Sequence, residues 1–215
     1  MPAFRLLRFS GFALVLAAVL FVAAEFLAFA LIIGQGDAYD FGKIATTGTF
    51  FLQAFLALFA SALLVGGLVG FYARQSEAAG RLGFVGFSLA FFGTILTVGN
   101  FYTSTLVTPM VATEVPAFLE SPLSGFLQLW LPFSFTPLAF SWLLLAVATL
   151  RARVYSPNTS WFLLVGVVVA LVPSPLTNLP FDTALAYLGF VLLTTPHAPS
   201  HRSSSTPAQV GGEGA

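Results

Sequence analysis

The sequence predicts an all-α fold: a polytopic integral membrane helical bundle of about six transmembrane helices, with both termini cytoplasmic. Three observations predict it. Six apolar runs alternate with short polar connections. Charged residues make up only 7% of the chain against 58% hydrophobic residues. Seven of the eight Lys and Arg residues fall on one side of the alternation. A soluble domain carries about 25% charged residues, so this composition excludes a water-soluble globular fold. With a mean hydropathy of +0.94, the chain has room for one bundle over 1–195 and no sizeable extramembrane domain.

The first run, near 12–33, is long enough to cross a bilayer core, which takes about 20 helical residues. Arg5 and Arg8 precede it. A signal-peptide reading competes, because Val22-Ala23-Ala24 is a small-residue cleavage pattern before Glu25. The apolar run continues unbroken through Phe26 to Ile33, which favours an uncleaved span.

The second and third runs, near 49–71 and 82–101, flank Arg74 and Arg81. Gly66-x-x-x-Gly70 lies in one, and Gly83, Gly86, Ala90 and Gly93 recur at helical spacing in the other. Small residues let helix backbones approach closely where lipid removes the hydrophobic advantage. Gly66, Gly70, Gly86 and Gly93 therefore serve either intrachain packing or a homo- or hetero-oligomer face.

The fourth run, near 126–150, carries Pro132 and Pro137, which predict a kink in its outer half. Trp130 suits an interfacial belt, whereas the deeper Trp142 needs a partner or a protein-lined niche for its indole N–H. The fifth and sixth runs, near 160–172 and 180–195, are short, and Pro173, Pro175 and Pro180 crowd their connection. Two crossings or one re-entrant hairpin both fit. Two crossings are favoured, because re-entrant backbone has to be screened from lipid by protein. Trp161 suits the inner belt. The tail over 196–215 is rich in Ser, Pro and Gly and is expected to be a disordered cytoplasmic segment.

Orientation follows from charge. Arg5, Arg8, Arg74, Arg81, Arg151, Arg153 and Arg202 share one side, with Lys43 the exception, and the positive-inside rule makes that side cytoplasmic. Asp37, Asp40, Glu114 and Glu120 lie in the opposite connections.

Composition also excludes functions. A formal net charge of zero gives no electrostatic case for a nucleic-acid partner. The absence of cysteine removes disulfides, thiolate nucleophiles, iron–sulfur clusters and Cys-type zinc sites. His197 and His201 both lie in the tail, so no span offers a haem or metal imidazole, and no cofactor is expected. No H-E-x-x-H, Walker A or strand-to-helix G-x-G-x-x-G motif occurs, and no span supplies a histidine base for Ser88 or Ser124. The chain is expected not to be an enzyme.

Glu25 is the leading candidate residue. It is placed near mid-depth of the first span, where an acidic side chain costs about 2.5–3.5 kcal/mol and must face the bundle or a hydrated cavity. Desolvation favours its neutral form, which could carry a proton or capture a cationic or hydroxylated ligand. The alternative is a protonated carboxyl hydrogen-bonded to a neighbouring helix. Asp182, in the first turn of the sixth span, suits the positive end of a helix dipole. Its functional alternative is an outer polar cluster with Asn178 and Thr177. Glu25 and Asp182 are predicted at different depths, which argues against paired-carboxylate chemistry.

Gln53 and Gln128, with Asn100, Tyr102, Thr103 and Ser104, sit toward the outer ends of three spans. Together they suggest an outward-facing polar cavity for a small-molecule or lipid ligand. Interhelical hydrogen bonding and interfacial solvation would explain the same residues.

The outer segment 108–124 is broken by Pro109, Pro116 and Pro122, and its Val111, Val115, Phe118 and Leu119 form an apolar face for the membrane surface or the bundle end. Val98-Gly-Asn-Phe-Tyr102, Leu106-Val-Thr-Pro-Met110 and Ala112-Thr-Glu-Val-Pro-Ala-Phe-Leu119 resemble a pattern in small uncharacterised bacterial multi-pass membrane proteins. There an outer polar or aromatic cluster precedes a Pro-containing acidic loop. The resemblance implies a bacterial inner (plasma) membrane protein and nothing about catalysis.

The expected function is a non-enzymatic binding or accessory component with an outer-half polar cavity. A small proton-coupled transporter using Glu25 is the first alternative, and a structural subunit of a larger membrane complex is the second.

Overall fold

The computed structural model describes residues 2–34, 40–120, 125–172 and 176–194, with side chains for all of these except 2–4, 120 and 125–137. Every regular element among them is helical. The tail with His197, His201 and Arg202, and the residues Asp37, Pro122, Ser124, Pro173 and Pro175, lie outside the described residues. So do the side chains of Gln128, Trp130, Pro132 and Pro137.

Helix α1 (Pro2–Gly34) takes in Arg5 and Arg8 as well as the first apolar run. It starts well before residue 12, because nothing in Pro2–Gly11 breaks a helix and Pro2 sits at its first position, where a missing N–H costs nothing. A short α2 (Phe41–Ala45) follows, capped by Asp40, whose side chain accepts from the Lys43 N–H at 3.1 Å. Lys43 Nζ also reaches Asp40 Oδ2 at 3.0 Å. The Lys43 N–H, then its ammonium, hold the Asp40 carboxyl below its ordinary range.

Helix α3 (Gly48–Tyr102) joins the second and third apolar runs through a connection that is itself helical almost throughout. Only Gly80 leaves helical geometry, at φ 55° and ψ −150°, a region that favours glycine. The chain reverses there. Tyr72 and Phe87 stack with ring centroids 4.3 Å apart, whereas fifteen residues of straight helix would separate them by about 22 Å. Limbs 48–79 and 81–102 thus form an antiparallel pair.

The second limb runs on through a π-helical turn (Thr103–Val107) into α4 (Thr108–Glu114), followed by α5 (Pro116–Glu120). The expected irregular segment after residue 108 is therefore mostly helical. Pro109 does not end the helix, because the wide turn before it absorbs the missing backbone donor, and Thr108 Oγ1 bonds back to Thr103 O at 3.3 Å. α6 (Gly125–Ala152) remains helical through Pro132 and Pro137. α7 (Pro157–Ala170) is capped by Ser156, which accepts from the Thr159 N–H at 3.3 Å. α8 (Leu179–Thr194) closes the described chain.

Two helical stretches, Arg5–Gly34 and Gly48–Glu114, are long and apolar enough to cross a membrane, and Leu138–Ala152, Pro157–Ala170 and Leu179–Thr194 are shorter apolar helices. α1 lies between the first limb of α3 and α8, the second limb packs on α6, and α7 fills the space between α6 and α8. Small residues make these seams. Gly67 and Gly70 lie against Leu14 and Ser10, Gly86 and Gly93 against Leu145 and Leu138, Gly11 against Gly189, and Gly166 against Phe181. Ser10 Oγ donates to Gly66 O at 2.9 Å across the first seam. Gly66, Gly70, Gly86 and Gly93 thus all have neighbours within the chain.

The pairings order the ends. Residue 10 meets 70, 11 meets 189 and 83 meets 148, so Arg5, Arg8, Arg74, Arg81, Arg151 and Arg153 gather at one end of the bundle. Lys43 stands at the other. At the arginine end, buried Tyr155 donates its hydroxyl to Phe71 O at 3.1 Å, and the Arg74 guanidinium lies 5.1 Å from its ring centre.

Large apolar side chains lie both inside and outside: Leu14, Leu68, Phe71 and Leu145 are fully buried in the core. Ala17, Ala54, Ala60, Ser61, Thr94 and Thr149 are completely buried, while Phe9, Phe84, Phe92 and Phe190 face outward and are more than half exposed. Trp161, at the start of α7, is exposed. Trp142 is 1% exposed and its Nε1 has no hydrogen-bond partner among the described residues, so it occupies the protein-lined niche but not the expected hydrogen bond.

Candidate acidic site at the α1–α8 contact

α8 packs antiparallel to α1, and this register brings its first turn beside Glu25. Asn178 precedes α8 by one residue, and Asp182 follows it by four, so both occupy one helical face. Asn178 Nδ2 donates to Glu25 Oε1 at 2.8 Å. Asp182 is 3% exposed, its Oδ2 has no partner among the described residues, and the Glu25 carboxyl lies close enough to act on it electrostatically.

One expectation is corrected: Glu25 and Asp182 are not at different depths, because the helix register brings the start of α8 beside Glu25. Glu25 stands seventeen residues beyond Arg8, about 25 Å along the helix axis, level with the turn before α8. Asp182 occupies the first turn of α8 as expected, but no hydrogen bond from its side chain caps that turn. Its backbone N–H bonds to Asn178 O at 2.9 Å instead.

Of the other candidates, the Gln128 side chain lies outside the described residues. Gln53 and Asn100 are half-buried and Tyr102 is exposed. None of the three side chains makes a hydrogen bond among the described residues. Thr103 and Ser104 return their hydroxyls to Gly99 O and Asn100 O in their own helix, at 3.0 and 3.1 Å. That is local backbone satisfaction. Of the expected apolar face, only Leu119 packs, with Leu31, on a small buried cluster of Ile44, Ala45, Phe50 and Ala112, while Val115 and Phe118 are exposed.

Comparison with protein-family models, with curated proteins and with solved structures finds no match to this chain.

The function must therefore be argued from the site. Two carboxyls in an apolar setting cannot both hold charge cheaply, so one takes up a proton or the pair attracts a cation. The Asn178 amide occupies one Glu25 oxygen, and the buried Asp182 carboxyl beside it keeps one oxygen without a partner among the described residues. Among the described residues no three His, Asp or Glu side chains gather into a metal-holding group. Asn178 was legible only as an alternative neighbour of Asp182. The signal for the whole site was the pair Asn178 and Asp182 four residues apart, opposite an acidic residue on the other long apolar helix.

Proposed function

We propose that this chain is a six-helix protein of a bacterial inner membrane, non-enzymatic, with its arginine-bearing end cytoplasmic. It works as a binding component that captures a proton or a small cation at the outer-end Glu25–Asn178–Asp182 site. Membrane placement is supported by the many phenylalanines exposed on the exterior and by the glycine-lined seams between helices, the pattern of helices packing in lipid. It is supported also by the segregation of arginines to one end. The six crossings are α1, the two limbs of α3, α6, α7 and α8. The observation that carries the binding reading is the 2.8 Å bond from Asn178 to Glu25 beside the buried Asp182 carboxyl.

Proton uptake by the purified protein after a pH drop, followed with an indicator dye, tests this. The wild type should take up more protons than the Glu25→Gln, Asp182→Asn double variant. Equal uptake removes the proposal.

A proton-coupled transporter is the second reading, favoured by the unpartnered Asp182 oxygen next to a second carboxyl. It predicts proton flux into acidified-medium proteoliposomes that either single variant abolishes. Uptake without flux leaves binding alone.

A further inference from the structure

The arginine end carries a second recognition surface, built from three separate parts of the chain. Gly83 lies against Ala148, so Arg81, two residues before Gly83, and Arg151, three after Ala148, meet at the rim where the second limb of α3 packs on α6. Arg153 takes a left-handed conformation at φ 53°, turning the chain out of α6. Tyr155 then anchors the connection through its bond to Phe71 O and its contact with Arg74. Arg81, Arg151 and Arg153 are all exposed. Glu77 is the one acidic residue at this end among the described residues, and none of the three arginines forms an ion pair there.

An apolar track leads away from this rim. Val85, Leu89, Phe92 and Leu96 follow Arg81 at intervals of three and four residues, which places them on one face of the helix. All four are exposed, from 44 to 65%. A cationic head above an outward apolar stripe matches an amphiphile with an anionic headgroup and an acyl chain. Guanidinium groups pair with phosphate oxygens in a planar, two-bond geometry.

We propose that this rim binds an anionic glycerophospholipid of the inner leaflet, its phosphate held by Arg81, Arg151 and Arg153 and its acyl chain laid along Val85, Leu89, Phe92 and Leu96. The inference rests on the membrane placement proposed above, but not on the acidic site.

Native mass spectrometry tests it, on the full chain in mild detergent with equimolar phosphatidylglycerol and phosphatidylcholine. The wild type should retain phosphatidylglycerol in preference. Arg81→Gln, Arg151→Gln and Arg153→Gln should each lower that preference, by roughly fivefold per arginine lost. Lys43→Gln, at the opposite end, should leave it unchanged. Equal retention of the two lipids, or a preference that survives the triple variant, overturns the proposal. Displacement of the bound lipid by millimolar inorganic phosphate also overturns it, by showing a free-anion site. Alkaline washing of membranes separates the two ideas. A chain released by the wash removes the membrane placement and this proposal together, whereas a chain that stays in the pellet yet shows no lipid preference removes this proposal alone.

Discussion

Asn178 Nδ2 and Glu25 Oε1 are joined at 2.8 Å across 153 positions of sequence. The bond fixes the start of α8 against the upper part of α1. It also settles which way the Glu25 carboxyl faces, toward the buried Asp182.

Removing that bond should cost little stability. Asn178→Ala is expected to destabilise by about 0.5–1.5 kcal/mol, in keeping with single hydrogen bonds between helices. Reversible unfolding in mixed micelles measures it, and a double-mutant cycle with Glu25→Ala isolates the pair. Zero coupling would mean the two groups do not hold each other in solution.

Tyr155 predicts an alkaline limit. Burial drives its phenol well above the ordinary value near 10, with Arg74 pulling weakly the other way. A group whose folded pKa is raised contributes stability that is fully present below the unfolded value and is lost as pH climbs toward the folded one. Stability should therefore be flat in this respect up to about pH 10 and fall above it. Tyr155→Phe should cost about 1 kcal/mol at neutral pH and flatten the alkaline fall.

The Gly11–Gly189 crossing admits no side chain. A Cβ on Gly189 would stand 2.6 Å from Gly11 O, and one on Gly11 would stand 2.8 Å from Gly189 O. Gly189→Ala should destabilise by about 1–3 kcal/mol through forced helix separation. Gly99, by contrast, has nothing within 4 Å of a Cβ. Gly99→Ala should stabilise by about 0.5–1 kcal/mol, the helix-propensity difference. Thermal unfolding of the two variants side by side gives opposite signs if the seams are as described.

The reversal in α3 should depend on Gly80. At φ 55° and ψ −150° any side chain is strained, and Gly80→Ala is expected to cost about 1–3 kcal/mol. A spin-label pair replacing exposed Ala73 and Val85 would report whether the limbs stay antiparallel. Unchanged stability and distance would mean that the turn tolerates L-residues.

Most helices were legible because apolar runs and arginine-bearing connections mark them directly. α2, α4 and α5 were not, since each has seven residues or fewer and gains its order from contacts around Phe50 and Ala112 rather than from its own periodicity. The acidic site was half legible. Glu25 and Asp182 each stood out by composition, but their meeting depends on helix register, which no local pattern encodes.

Among the described residues the outer cap holds four buried residues, Ile44, Ala45, Phe50 and Ala112, against a larger continuous core below. Amide exchange should accordingly begin at that end, with α2 and α5 opening long before the arginine end loosens.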